Sequence, residues 1–183
     1  GLAAKYPALF EWVTSVHPYD PQAPDRLEAA VARGAKAIKW LPSAQNIDPA
    51  SPRCDRFYAK LVALKLPLIT HAGDEPAAVG FGEHLGNPLR LRRPLEAGVR
   101  VVVAHCASLG HGEELDGGAK KGEQGGGPPQ NFDLFMRMMD EPQYRGVLFG
   151  YLSAVVQADR IDVLPTLLAR RDLHARLLNG SDY

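Results

Sequence analysis

Short apolar segments alternate with amphipathic segments along the whole chain. Six of the apolar segments are rich in β-type residues, and they end at or near His17, Trp40, His71, His105, Gly150 and Asp182. They are apolar at nearly every position, which is typical of strands in a sheet that is covered on both faces. The pattern therefore predicts six buried strands, the last of them at Leu177 and Leu178.

The segments between the predicted strands have the periodicity of helices. One segment has Pro24 near its start and Gly34 as its stop, which is the usual placement of the two residue types. Another begins at Asn131, a predicted cap, and continues with four apolar residues at positions i, i+3, i+4 and i+7. The segment that begins at Pro88 is the exception, because Pro94 must break or shorten any helix there.

Alternating strands and helices predict an α/β fold made of βα units around a parallel sheet. No Gly-rich phosphate loop follows any strand, which argues against an open dinucleotide-binding sheet. Polar residues at the strand ends instead favour a (β/α)8 TIM-type barrel with its site at the carboxyl ends. Such a barrel has eight strands in about 250 residues. Six strands in 183 residues predict an incomplete barrel.

Composition narrows the class of protein. A chain of 183 residues fits a single domain, residues 1–183. Its 21 basic and 21 acidic residues balance, which argues against nucleic-acid and membrane-surface partners. Cys54 and Cys106 are far apart in the sequence, so we expect no disulfide framework and a reducing, cytoplasmic setting.

A Gly-rich segment, residues 109–130, interrupts the regular pattern. It is too long for an ordinary connection between a strand and a helix, and such segments are functional lids or disordered loops. It lacks the residue order of a phosphate-binding loop, so the sequence assigns it no phosphate. We therefore predict a flexible loop within the single domain.

Three of the strand ends carry groups that can bind a metal: His71, His105 and Asp182. If strand alternation holds, His71 points into the barrel together with Ile69, and His105 together with Val103. Two imidazoles and a carboxylate that converge suit Zn²⁺ or a similar divalent metal. The alternative is that each of the three side chains is only hydrogen-bonded at a loop boundary.

Two further sites are open to more than one interpretation. Lys39 lies close to a strand end, where it could pair with an acidic substrate, bridge two metals if carboxylated, or extend into water. Asp74 and Glu75 follow His71 directly. Acids in a loop are usually solvated, although one of them could orient a histidine ligand.

Four stretches resemble the amidohydrolase superfamily, in its amidohydrolase-related branch of metal-dependent hydrolases and decarboxylases. They are "GAKAIKWLP", "SPRCDRFYAKLVALKLPLITHAG", "GNPLRLRRPLEAGVRVVVAHCAS" and "RLLNGSDY". The resemblance implies a distorted TIM barrel in which these strands are the third to the eighth. It implies that His71 binds the metal and that His105 binds the metal or polarises the substrate. Asp182 would bind the metal and act as the general base.

The resemblance implies the function of a metal-dependent hydrolase. A water molecule activated by a divalent metal such as zinc would attack the amide, ester or lactone carbonyl of a small-molecule substrate. Decarboxylation of an aromatic or unsaturated acid at the same site is the alternative. The family begins with an H-x-H pair on its first strand, and this sequence contains none. We therefore expect an internal fragment that binds metal weakly. A non-catalytic fragment whose open edges recruit a partner, or self-associate as a homo-oligomer, is the remaining interpretation.

Overall fold

A computed structural model describes residues 1–76, 80–117 and 128–180. Its centre is one parallel sheet of six strands in chain order, in which each strand pairs with the next. The strands are β1 (Trp12–Thr14), β2 (Ala35–Trp40), β3 (Leu68–His71), β4 (Val101–Ala104), β5 (Leu148–Tyr151) and β6 (Leu177–Leu178). Within the described residues β1 and β6 do not pair with each other, so the sheet is an incomplete barrel, as predicted.

Seven helices connect and flank the strands in the described part of the chain. They are α1 (Leu2–Lys5), α2 (Ala23–Ala32), α3 (Pro42–Gln45), α4 (Asp55–Ala63), α5 (Arg92–Glu96), α6 (Asn131–Asp140) and α7 (Leu164–Ala169). Short 3₁₀ turns cover Pro52–Cys54, Glu83–Gly86, Pro88–Leu91, Pro142–Tyr144, Ile161–Val163 and Arg171–Arg176. None of the described helices is long and apolar enough to cross a bilayer.

The proline and glycine signals give most helix boundaries correctly. Pro24 lies in the first turn of α2, and Gly34 follows the helix with a φ of 92°. Pro94 lies in the first turn of α5, where its missing N–H removes no intrahelical bond, and the helix has only 5 residues. The predicted cap at Asn131 is wrong. Asn131 is the first residue of α6, and its side-chain amide donates to the Leu109 carbonyl at 3.1 Å.

The two faces of the sheet differ in what covers them. The face toward the helices is fully buried, with Ile38, Leu68, Val101, Val103 and Leu148 all at 0% exposure. On the opposite face, which is the interior of the barrel, Lys39, Ile69 and Phe149 are only half-buried. The prediction that the strands are covered on both faces is confirmed for β4, which is buried at all four positions. It is wrong for β2, β3 and β5, because the open barrel leaves some of their interior-facing side chains partly accessible.

The edge strands depart furthest from the predictions. β1 ends at Thr14 and not at His17, whose ring instead contacts the Gln45 carbonyl at 3.0 Å. β6 was expected to be buried, but Leu178 is 41% exposed. Both strands lie at an edge of the sheet. Each pairs with only one described strand, so its other edge has no strand beside it.

Trp40 anchors the helix-facing core. It is 0% exposed, its ring stacks on Phe57 of α4 at a centroid distance of 5.1 Å, and its indole N–H donates to the Val16 carbonyl at 3.1 Å. We expect Trp40→Ala to lower the free energy of unfolding by about 3–5 kcal/mol, since it leaves a large cavity. Trp12→Ala, at a half-buried edge position, should cost less than half as much in urea unfolding. Equal costs would contradict this view of the core.

Both cysteines are buried free thiols in the structure. Burial is the main cause that raises the pKa of Cys54 to about 11 and the pKa of Cys106 to about 12. Because the thiolate is the reactive form, the native protein at pH 8 should react with a thiol reagent such as DTNB only very slowly. After unfolding in guanidinium, two thiols per chain should react at once. A fast-reacting thiol in the native state would show that one of these sites is open.

Candidate metal and substrate site

His71 is the last residue of β3 and is 2% exposed. Its Nε2 lies 3.2 Å from the Asp74 carbonyl, which can only accept a hydrogen bond. The proton of a neutral ring is therefore on Nε2, and the lone pair is on Nδ1. That Nδ1 lies 3.4 Å from Oε2 of Glu75, in the loop that follows β3.

His105 follows β4 and is 5% exposed. It begins a turn of three successive residues with left-handed backbone angles: φ is 55° at His105, 51° at Cys106 and 52° at Ala107. Such angles cost non-glycine residues roughly 1–2 kcal/mol each, so tertiary contacts must hold the turn in place. One of these contacts is the bond from His105 Nδ1 to the Ser153 carbonyl, at 2.8 Å. This bond makes Nε2 the nitrogen with the lone pair.

The left-handed turn also corrects the predicted orientation of β4. Ile69 pairs with Val102 in the sheet, so Val102 faces the barrel interior and Val103 faces the helices. His105 was expected to share a face with Val103. It reaches the interior side instead, because the turn that begins at His105 ends the alternation of the strand.

Three side chains converge at this point: His71, Glu75 and His105. One ligand atom from each lies within 4.8 Å of the others, and the two imidazole rings are 5.3 Å apart between centroids. Two imidazole nitrogens and a carboxylate oxygen are the donors that zinc and similar divalent metals take in proteins. This is the one such group of three in the described residues.

The protonation of the cluster supports a cation there. Burial is the largest cause of a lowered pKa at His71, about 4, and the charges of His105 and Lys39 lower it further, while Glu75 opposes them. His71 is thus neutral near pH 7, and its Nδ1 lone pair faces a carboxylate oxygen. Two acceptors in contact repel each other unless a cation lies between them. The residues present therefore fit a divalent metal.

Two basic side chains border the cluster. Lys39 of β2 is half-buried, and it pairs in register with Ile69, which is on the same face of β3 as His71. Arg160 follows β5 and is 4% exposed. Its Nη2 lies 3.8 Å from Glu75 Oε2, and its Nη1 lies 3.5 Å from the Ser108 hydroxyl. The carboxyl ends of four strands, β2 to β5, and the segments that follow them therefore carry both the acceptor cluster and two cations.

A family model described as amidohydrolase matches residues 2–121 of the chain. The chain belongs to the amidohydrolase family. The sequence resemblance had pointed to this family, and a match over more than half of the chain establishes it. No curated protein matches the chain.

Solved structures show the same fold at low identity. A TIM-barrel protein from Bordetella bronchiseptica is 17% identical, with a TM-score of 0.67 over 100% of this chain and 57% of that one. A candidate 2-pyrone-4,6-dicarboxylic acid hydrolase from Pseudomonas putida is 15% identical, with a TM-score of 0.61, and the alignment covers 94% of this chain and 56% of that one. A 2,6-dihydroxybenzoate decarboxylase from Rhizobium is 12% identical, with a TM-score of 0.61, and the alignment covers 100% of this chain and 62% of that one. This chain of the amidohydrolase family thus spans about three-fifths of the length of these structures.

The sequence located part of this site. The structure brings His71 and His105 together at the carboxyl end of the sheet and places Lys39 beside them, while their roles stay predictions. Asp182 lies outside the described residues, as do residues 118–127 of the predicted Gly-rich loop. Glu75 joins the cluster directly, where the sequence had suggested a solvated acid or an orienting one. Arg160 was missed, because no periodic pattern or motif surrounds it.

A glycine controls the loop that carries Glu75. Gly73 has a φ of 86°, and a Cβ there would lie 2.6 Å from the Leu109 carbonyl oxygen. We expect Gly73→Ala to lower the free energy of unfolding by about 1–3 kcal/mol. Gly146→Ala is the matched control, since a Cβ there meets no atom within 4 Å. It should change stability by about 0.5 kcal/mol or less in urea unfolding. If the two variants were equally stable, the loop would not require glycine at position 73.

Proposed function

We propose that the protein acts as a metal-dependent hydrolase that cleaves an amide, ester or lactone carbonyl of a small molecule. The observation that carries this proposal is the acceptor cluster of His71, Glu75 and His105 at the carboxyl end of the sheet. Active sites of TIM-type barrels lie at that end. Family membership supports the assignment, although it does not distinguish the reactions that the family performs.

The chain's own residues would hold the metal by atoms whose protonation is already fixed. The Asp74 carbonyl keeps the proton of His71 on Nε2, and the Ser153 carbonyl keeps the proton of His105 on Nδ1. Such backbone partners orient histidine ligands and increase their basicity. When bound, a divalent metal supplies a Lewis acid and lowers the pKa of water from 15.7 to about 7.

The remaining roles concern protons and charge. Asp182 is proposed as the base that takes the proton of the attacking water, and it lies outside the described residues. Lys39 is proposed to stabilise negative charge on the substrate, since its side chain is close enough to affect the pKa of His71. A cytoplasmic location, the use of zinc and a homo-oligomeric state are proposed on the sequence alone.

Decarboxylation is the second candidate for the same site. The observation in its favour is the fold shared with the Rhizobium 2,6-dihydroxybenzoate decarboxylase, since one barrel fold can carry different reactions. The products separate the two: hydrolysis of a lactone adds water and opens the ring, whereas an aromatic acid releases carbon dioxide. Incubation of the metal-loaded chain with a panel of lactones, amides and aromatic acids, followed by product analysis, would decide between them.

Metal binding tests the proposal before any substrate is known. We expect the chain to take up one Zn²⁺ at saturation, with the weak affinity expected of an incomplete site, measured by equilibrium dialysis. His71→Ala, Glu75→Gln and His105→Ala should each weaken binding by at least about tenfold, since each removes one proposed ligand.

The control for this experiment is His174→Ala, because His174 is exposed, precedes β6 and contacts the Leu167 carbonyl through its Nε2, at 3.2 Å. It should bind Zn²⁺ like the unaltered chain. Asp182→Ala extends the test to the carboxylate that the sequence predicted. If the three ligand variants bound zinc as tightly as the unaltered chain, the metal would be held elsewhere and the proposal would be wrong.

A further inference from the structure

Arg160 is the most deeply buried arginine in the part of the chain that the structure describes, at 4% exposure. Its Nε has no hydrogen-bond partner among those residues. Its two other nitrogens make only long contacts, 3.5 Å to the Ser108 hydroxyl and 3.8 Å to Glu75 Oε2. A buried guanidinium is normally paired at close range, because the desolvation of an unpaired charge is costly.

Other arginines of the same chain show what a satisfied guanidinium looks like. Arg93 binds both carboxylate oxygens of Asp55 through its Nε and Nη2, each at 2.7 Å. Arg92 binds Asp116 through the same two nitrogens, at 2.8 and 2.7 Å. Both are more exposed than Arg160, with side-chain exposures of 37% and 22%. The Nε–Nη2 edge of Arg160 holds no such carboxylate among the described residues.

The position of this edge relates it to the proposed reaction. Nη2 lies 3.8 Å from Glu75 Oε2, and the same oxygen lies 3.4 Å from His71 Nδ1. The guanidinium is therefore next to the cluster proposed to bind the metal. It also lies among loops that follow β3, β4 and β5, where a substrate of a barrel enzyme binds.

We infer that Arg160 binds a carboxylate group of the substrate through its Nε–Nη2 edge. The inference rests on the proposed function, which it deepens by naming the substrate class: a carbonyl compound that carries a carboxylate close to the reacting carbon. A planar guanidinium and a carboxylate form two parallel hydrogen bonds, so the pair fixes orientation as well as charge. Arg160 acts here as a substrate-binding residue, and the bond cleaved stays that of the proposed function.

The test uses metal-free protein and a pair of small probes. Benzoate and benzamide have nearly the same shape, and only benzoate is an anion that can accept two hydrogen bonds from one guanidinium edge. The 183-residue chain is treated with EDTA, and each probe is titrated while protein NMR chemical shifts are recorded. We expect saturable benzoate binding that is at least tenfold tighter than benzamide binding.

Variants assign the binding to Arg160. Arg160→Met removes the guanidinium and its charge but keeps an unbranched apolar side chain, so benzoate affinity should fall at least tenfold while benzamide affinity stays the same. Arg160→Lys keeps the charge but loses the fork, and should give an intermediate benzoate affinity. Arg145→Met is the matched control: Arg145 is exposed and precedes β5, at the opposite end of the strand from Arg160. It should bind benzoate like the unaltered chain.

Each outcome bears on the inference. Equal binding of benzoate and benzamide to the unaltered chain would overturn it, as would no benzoate binding up to about 100 mM or unchanged benzoate binding in folded Arg160→Met. Should circular dichroism show Arg160→Met unfolded, Arg160→Lys decides, and benzoate affinity equal to that of the unaltered chain would overturn the inference. Failure of the proposed function would appear separately, as absent zinc binding in the unaltered chain.

Discussion

The in-register parallel pairing of β3, β4 and β5 is the constraint on which the site depends. His71 pairs with Ala104, and Ala104 pairs with Tyr151, so the three strands end at nearly the same level. Their loops must then leave the sheet side by side. This alignment brings the residue after β4, the loop after β3 and the segment after β5 together, although more than 80 residues separate His71 from Arg160 in sequence.

The loops that form the cluster contain left-handed backbone conformations, which cost stability. Gly73 takes a left-handed angle that lets its backbone approach the Leu109 carbonyl, while three non-glycine residues from His105 take similar angles. One nitrogen of each imidazole is hydrogen-bonded to a backbone carbonyl, and this bond fixes the orientation of the ring and of its other nitrogen. Strained conformations persist where the surrounding structure determines them, and they occur most often at functional sites.

The sequence predicts the central strands well because their signal is local. The bounds of β2 and β3 follow from apolar runs that end at Trp40 and His71, and both ends are where the pattern put them. The edge strands differ because exposure depends on whether a neighbouring strand is present, which no local pattern encodes. Burial of Leu178 was therefore predicted wrongly, although the position and the direction of β6 were correct.

The site shows the same division between local and tertiary information. Histidines at strand ends are visible in the sequence, since strand periodicity and chemistry coincide there. Glu75 required knowledge of the turn that folds it back onto His71, and the orientation of His105 required its left-handed angle. Arg160 looks like a solvated residue in a polar segment, and only the packing of three loops makes it a buried cation.

Among the residues that the structure describes, the balance of charge in the site favours an anionic ligand. At neutral pH His71 is neutral, and Glu75 contributes the negative charge of the cluster, whereas Lys39 and Arg160 contribute two positive charges. A divalent metal among the acceptors would add further positive charge. Because interactions between charges are stronger where water is excluded, such a site attracts a carboxylate and repels a cationic substrate. The long contact of 3.8 Å between Arg160 and Glu75 fits both proposals, in which Glu75 would also bind the metal and Arg160 would also bind the substrate.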